Sequence, residues 1–431
     1  MTNVLIFFLG FVLAIVIGQV FKINAGFVAI FFGFLLNWII AKGTATDFIK
    51  LFPVTLFWNY GIPIMFYAFA AANGTLSALG NKVIWRFRSN KWVMSIAVLC
   101  SAAIVAACGA GTNNTLILAP LAWPLCIIAG IPYLLIPFSL WCGSFIGSFL
   151  PWTSNGAMHA ALIGQNIPGI DVAPQSWRIF MFYCLFAILV YIIAFVALKG
   201  WKTRDHASDA ELKEPEPLNP VHKKTLAIII IMIALLLIPL ILNTFAPSPV
   251  WKWMSGNLSI TVTSILGISL MGLLKLGNLR EVFSKHVNWE IIFTITGMGM
   301  YCALSRGLGV DTALGEWLPT LSPSVIAPAF VLVGAALSFV ASAPAVLPLL
   351  YSLAPIVGPA AGLSPAALIV PIVVGVGVTS FSPFSVGGAT ALIGAPPEVS
   401  NKLVPQQIAC AIGMALFGVL LAFTGMFTVG A

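Results

Sequence analysis

Four short polar interruptions stand out in a chain that is otherwise largely apolar: Thr112-Asn113-Asn114-Thr115, Thr153-Ser154-Asn155-Gly156, Ser342-Ala343-Pro344 and Ser385-Val386-Gly387-Gly388. None contains an acid or a base. They offer neutral side-chain oxygens, together with glycines and a proline that break helical hydrogen bonding and free backbone groups. Free N–H groups at a half-helix N-terminus carry partial positive charge and suit a carboxylate. Carbonyls and Ser, Thr or Asn oxygens at the opposite ends suit Na+. The candidate anion-binding residues are therefore Thr112, Asn113, Asn114, Thr115, Ser154, Asn155, Ser342, Ser385, Gly387 and Gly388, and the candidate Na+ ligands are Asn113, Asn155, Ser342 and Ser380. His159, just beyond the second break, joins the substrate set as the one ionisable side chain expected near the cavity. The bland reading of His159 is a neutral donor to helix backbone, and that of a single break is close helix packing.

The four breaks are not scattered. Ser148, Pro151, Trp152, Thr153, Gly156 and Ala157 recur as Ser380, Pro383, Phe384, Ser385, Gly388 and Ala389, 232 residues later. An Ala-Leu-Ile-Gly run follows in both, ending at Gly164 and Gly394. Upstream, each half shows a small or polar break, an apolar arm with a proline (Pro120; Pro348), then a glycine before a second proline (Gly130, Pro132; Gly362, Pro365). This ordered match predicts a structural repeat.

Composition fixes the setting. Of 431 residues, 60% are hydrophobic and 7% charged, against roughly 25% charged in soluble domains. That is too little charge to coat a water-facing surface, so a cytosolic enzyme, a secreted domain and a nucleic-acid binder are excluded. Continuously apolar stretches such as Ile228 to Leu242 exclude a β-barrel, which would alternate. The fold class is an all-α polytopic membrane protein. Its expected spans are Asn3–Val20, Gly26–Ile40, Pro53–Ala72, Ile136–Pro151, Trp177–Leu198, Thr225–Phe245, Leu258–Leu274, Trp289–Leu304, Leu368–Pro383 and Gln407–Phe427. Val93–Ala129 and Ile326–Pro359 are interrupted in the middle and read as re-entrant hairpins. The first segment, lacking a basic flank and a cleavage site, reads as a retained helix. The seven cysteines lie in apolar segments without metal spacing and read as small buried hydrophobes.

The hydrophilic stretch 202–224 divides the chain into a first repeat (1–201), a linker and a second repeat (225–431). Each repeat is expected to hold five transmembrane helices, a re-entrant hairpin and a broken helix. Five crossings per half invert the second copy. Threading the loops then leaves only Lys42, Lys50, Arg178, Lys252 and Arg306 on one side, and the other fifteen of the 20 basic residues opposite. The rich side, with the linker, is expected in the cytoplasm of the cell (inner) membrane, and both termini outside. The net charge of +8 then reports orientation.

The cavity so placed holds no acid, so a proton antiporter's buried carboxylate and a cation channel's acidic ring are both missing. A neutral cavity suits an anion carried with a cation that replaces fixed charge. The expected function is a symporter of a small organic anion, coupled to Na+ or H+ and without an organic cofactor. A sodium/proton or oxyanion antiporter on the same plan is the alternative. A membrane-embedded enzyme resting on His159 and Ser154 is a distant one, since residues five apart share a helix face poorly.

The run from Phe52, Pro53, Leu56 and Phe57 through Asn73-Gly74-Thr75, Gly109 to Thr112, Ala119-Pro120 and Gly130-Ile131-Pro132 resembles the N-terminal half of the MatC-type dicarboxylate (malonate) carriers. The paired hairpin and broken-helix plan, ending in Ala391 to Pro397, resembles the wider ion-transporter superfamily with its divalent anion:sodium symporters. The resemblance implies a homodimer with a scaffold and a moving transport domain, working as an elevator on a small carboxylate. In those symporters each hairpin tip carries Ser-Asn-Thr. Here the first tip reads Thr112 to Thr115, whereas the second keeps Ser342 and has Ala343 and Pro344 instead.

Overall fold

The computed structural model describes residues 2–87, 93–110, 114–202, 214–310, 312–313 and 322–431, and these are helices joined by turns and short loops, with no strand among them. The principal helices are α1 (Thr2–Phe21), α2 (Ala25–Ile39), α3 (Val54–Ala72), α4 (Thr75–Arg86), α5 (Met94–Val105), α6 (Asn114–Ile128), α7 (Leu135–Ser148), α8 (Ser154–Asn166) and α9 (Val172–Ala197) in the first half. The second half has α10 (Pro220–Phe245), α11 (Pro249–Asn257), α12 (Ile260–Leu273), α13 (Trp289–Cys302), α14 (Pro323–Val340), α15 (Ala343–Ala360), α16 (Ile369–Val378), α17 (Val386–Thr390) and α18 (Pro397–Phe423). Seven helical stretches of 18 or more residues among those described are apolar enough to cross a bilayer. Leu5, Leu9, Ile230, Ile231, Ile238 and Ile241 stand exposed along α1 and α10, which only an apolar surrounding tolerates. The chain is a multi-pass membrane protein.

Several helices begin earlier than hydropathy alone suggests. Asp171 and Asn219 accept the Ala173 and His222 amides and start α9 and α10 ahead of their apolar runs, and α18 starts at Pro397, ten residues before the expected Gln407. Cap side chains and N1 prolines start helices in polar sequence that a hydropathy window leaves out. Two helices were not expected. Amphipathic α4 follows Gly74 in the left-handed region, where Asn73 caps Thr75 through both its amide and its hydroxyl. Polar α11 meets α12 at 78°.

The helices pack as two sets. In the first, α2 crosses α13 and α3 crosses α12, and α1, α10 and α11 flank them. The α2–α13 crossing is close enough that a Cβ on Gly26 would fall 2.1 Å from the Phe293 carbonyl oxygen. In the second set, hairpin arm α5 lies on α7 and hairpin arm α14 lies on α16, with α9 against α16 and α18 against α14. The two sets touch through α3 on α8 and α13 on α15.

Local geometry repeats at the sequence offset of 232. A Cβ on Gly143 would meet the Leu99 oxygen at 2.1 Å, and one on Gly375 the Val331 oxygen at 2.4 Å, so each hairpin's first arm presses its backbone onto the same glycine of its neighbour. Each second arm closes on a left-handed glycine, with Ile131 N–H donating to Cys126 and Leu363 N–H to Gly358.

Loop contacts group the helix ends in two families. Asn73, closing α3, donates to Thr225 at the start of α10 and to the Leu276 carbonyl after α12, and Asn24 donates to the Glu290 carbonyl at the start of α13. A second group, the start of α9, the lead-in to α16 and the residues after α18, meets around Arg178, which donates to the Ala366, Phe427 and Val429 carbonyls and to Gln175. Each family joins only ends that the sequence threading assigns to one side.

Candidate functional site

The two broken helices are built on one hydroxyl motif. After α7 ends, Thr153 Oγ1 accepts the Gly156 amide (3.1 Å) as N-cap of α8, and donates back to the Ser148 and Leu150 carbonyls. After α16, Ser385 Oγ accepts the Gly388 amide (3.1 Å) and donates back to the Ser380 and Ser382 carbonyls. Each hydroxyl thus satisfies the backbone that the break exposes. The glycine is required both times: a Cβ on Gly156 or on Gly388 would lie 2.1 Å from the oxygen of Leu150 or Ser382.

The ends of both hairpins' first arms lie beside these breaks. Trp152 Nε1 donates to the Ala107 carbonyl at the end of α5 (3.1 Å), while the 232-offset pair, Phe384 and Phe339, meets ring to ring at 6.1 Å. The halves also cross. Thr115, in the first turn of hairpin arm α6, shares a hydrogen bond with Thr390 of α17, and Trp123 Nε1 donates to the Ala391 carbonyl (2.8 Å). In the opposite sense, His159 of α8 meets Tyr351 Oη of hairpin arm α15 at 2.8 Å. At the centre Trp141 Nε1 donates to Ser380 Oγ (2.8 Å), and its neighbour Phe138 stacks on Phe381 at 4.4 Å.

The sequence-predicted residues divide within this frame. Thr112 and Asn113 lie outside the described residues. Asn114 is fully buried; its amide donates to the Ala102 carbonyl and Ser144 Oγ, and its Oδ1 has no donor among the described residues. Thr115 and Ser154 are buried, and neither Ser154 nor half-buried Asn155 makes a side-chain hydrogen bond among the described residues. Ser342 is exposed at the N-cap of α15 and caps nothing. The Ser380 and Ser385 hydroxyls, by contrast, are committed inside the protein: Ser380 donates to Gly377 and accepts the Trp141 indole. Gly387 and Gly388 lie in α17, which is only five residues long. His159 is buried under Phe149 (ring centroids 5.2 Å) and bonded to Tyr351, away from any pairing with Ser154.

Three participants escaped the sequence reading. Tyr67 of α3 donates to the Trp152 carbonyl (2.7 Å) and fills the space over Gly109, whose φ of 97° bends the end of the first hairpin arm. Tyr351 and Gln407 reach the site from α15 and α18, and Gln407 donates to the Gly388 carbonyl. Each is an aromatic or polar residue in an apolar run, a signal shared with many core positions.

Arg178 is the only buried Lys, Arg, Asp or Glu among the described residues, and it sits with the loop ends. Polar character near the breaks comes from hydroxyls, amides and the starts of α6, α8 and α15.

Residues 1–144 match the family model described as the dicarboxylate carrier protein MatC N-terminus. No curated protein sequence matches the chain. Among solved structures the chain is similar to the YdaH transporter of Alcanivorax borkumensis, with a TM-score of 0.62 at 15% identity over 88% of this chain and 86% of that one. Likeness at that identity is one of fold. Fold and family match together define the class: a polytopic all-α membrane protein whose first third matches the MatC N-terminal model.

Proposed function

We propose that this protein is a secondary active transporter that carries a small organic anion, a carboxylate or dicarboxylate, with Na+ or H+. The observation that carries the reading is the crossing of the two halves. The first hairpin reaches the second broken helix through Thr115 and Thr390, and the second hairpin reaches the first broken helix through Tyr351 and His159. Broken helices converging at bilayer depth are where transporters bind cargo. The neutral surroundings favour an anion whose charge is balanced by a co-transported cation. Asn114 Oδ1, fully buried without a donor among the described residues, is an oxygen that such a cation would satisfy. The MatC description adds a dicarboxylate as the family-level precedent. The two-set packing suits elevator-type alternating access, with α5 to α8 and α14 to α17 moving against the set around α2, α3, α12 and α13. We further propose a homodimer in the cell membrane with the basic loops cytoplasmic.

Purified protein in liposomes tests this. Labelled malonate, succinate, acetate and hexanoate are supplied outside with an imposed Na+ or proton gradient. The reading expects at least one acid to accumulate above its equilibrium level only while the gradient lasts. Gradient-independent equilibration, or no uptake of any acid by folded protein, would overturn it.

A further inference from the structure

Among the described residues, every non-glycine residue with positive φ is a lysine: Lys22 (54°), Lys42 (56°), Lys199 (53°) and Lys275 (52°). Lys22, Lys199 and Lys275 close α1, α9 and α12, and Lys42 follows α2. At the first three the next amide donates back across the turn, Ile23 to the Gly18 carbonyl, Gly200 to Phe195 and Leu276 to Met271. Such a closure needs a left-handed residue, and glycine adopts that backbone without steric cost. Where the same turn closes the second hairpin arms, the residue is glycine, Gly130 or Gly362. At the ends of α1, α9 and α12 it is lysine, against the steric preference of an L residue.

The surroundings of the three lysines indicate what offsets that preference. Each is exposed, and none makes an ion pair or a side-chain hydrogen bond among the described residues. Each follows large apolar side chains that are themselves exposed: Val20 and Phe21, Ile193 and Val196, Leu273 and Leu274. Only an apolar surrounding tolerates such a surface, so each lysine stands where hydrocarbon gives way to headgroups. A stem starting there covers apolar surface while the ammonium reaches phosphate.

A helix C-terminus favours a cation, but a lysine inside the last turn would supply that charge with ordinary helical backbone. The left-handed lysine secures position as well as charge, just past the last exposed apolar residue. Threading assigns all three to the side that carries fifteen of the 20 basic residues. Asn24 and Leu276, close to two of them, also belong to one family of loop contacts. A leaflet of negative surface potential complements that side.

We propose that Lys22, Lys199 and Lys275 are binding positions for anionic phospholipid, the ammoniums meeting headgroup phosphate and the flanking side chains meeting acyl chains. A free phosphate would engage the ammonium alone and leave the apolar residues uncovered. The inference goes beyond the transport reading and stands whichever acid is carried.

The unfolding temperature of the purified protein in neutral detergent is measured with phosphatidylglycerol, phosphatidylcholine or inorganic phosphate added. Phosphatidylglycerol is expected to raise it and the other two hardly at all, since a ligand stabilises the fold it binds. Each rise is taken from that protein's own value in detergent alone. The Lys22→Gly, Lys199→Gly, Lys275→Gly triple variant should lose at least about half of the rise. Glycine suits the left-handed backbone, so this variant is expected to fold. The matching triple to arginine should keep the rise. A control triple, Lys224→Gln, Lys285→Gln and Lys402→Gln, removes the same charge from the same side and should keep most of it. No rise with phosphatidylglycerol, or an equal rise with phosphatidylcholine or phosphate, would overturn the proposal. So would an undiminished rise in the glycine triple, or an equal loss in the control.

Discussion

Thr115 and Thr390 share a hydrogen bond at 2.5 Å although 275 residues separate them in the chain. One sits in the first turn of a hairpin arm in the first half, the other on the short broken helix of the second. With His159 and Tyr351 making the converse connection, neither half's break is complete without the other half's hairpin.

The two break hydroxyls are expected to matter to a similar degree. Thr153→Val and Ser385→Ala each remove an N-cap and release two backbone carbonyls. Each should lower stability by about 1 kcal/mol and reduce uptake further than it reduces folded protein. Thermal unfolding in detergent alongside liposome uptake checks this.

Gly143→Ala and Gly375→Ala push a methyl group into the Leu99 and Val331 carbonyls. Overpacking of this kind costs about 1–3 kcal/mol, and the two substitutions should lower the unfolding temperature alike. Gly413→Ala, on α18 with nothing within 4 Å of the added carbon, should be neutral. If Gly375→Ala behaves like Gly413→Ala, the equivalence of the two halves fails.

Tyr351→Phe leaves the buried His159 imidazole without the partner it has across the halves. The loss of about 1 kcal/mol should slow uptake roughly fivefold. Combining it with His159→Leu should cost less than the two single effects summed, because both remove the same bond. Strict additivity in the double-mutant cycle would show that the pair is not coupled.

Arg178→Lys replaces a planar fork that serves three carbonyls and Gln175 with a single ammonium. Stability should fall by about 2 kcal/mol or more, while the apparent affinity for substrate stays unchanged, since Arg178 bonds none of the site residues. A change in affinity without a change in unfolding temperature would contradict this placement.

Much of the architecture was legible because it is written in hydropathy and punctuation. The long apolar runs became helices, and Gly156, Gly388, Thr153 and Ser385 mark breaks whose geometry is local. Helix starts were read late where caps such as Asn219 work in polar sequence. The site was legible in location and less so in detail. A sequence shows that Ser380 and Ser385 are hydroxyls at the break, but not that both are spent on neighbouring groups. Nor does it show that Tyr67, Tyr351 and Gln407 reach the breaks from other helices, because those meetings depend on tertiary packing. Asymmetry was visible in the second tip's lost Asn and Thr, whereas the exposed Phe384 surface that goes with it appears only in three dimensions.

The most direct test of the central claim is gradient-driven carboxylate uptake by Asn155→Ala and Thr115→Val, reconstituted at folded content matched to wild type. Asn155 is half-buried beside the first break with no side-chain hydrogen bond among the described residues, and Thr115 ties that half to the second. The account predicts that both variants fold and that uptake falls at least about tenfold, equivalent to 1.4 kcal/mol or more at the transition state. Wild-type uptake in both would contradict it.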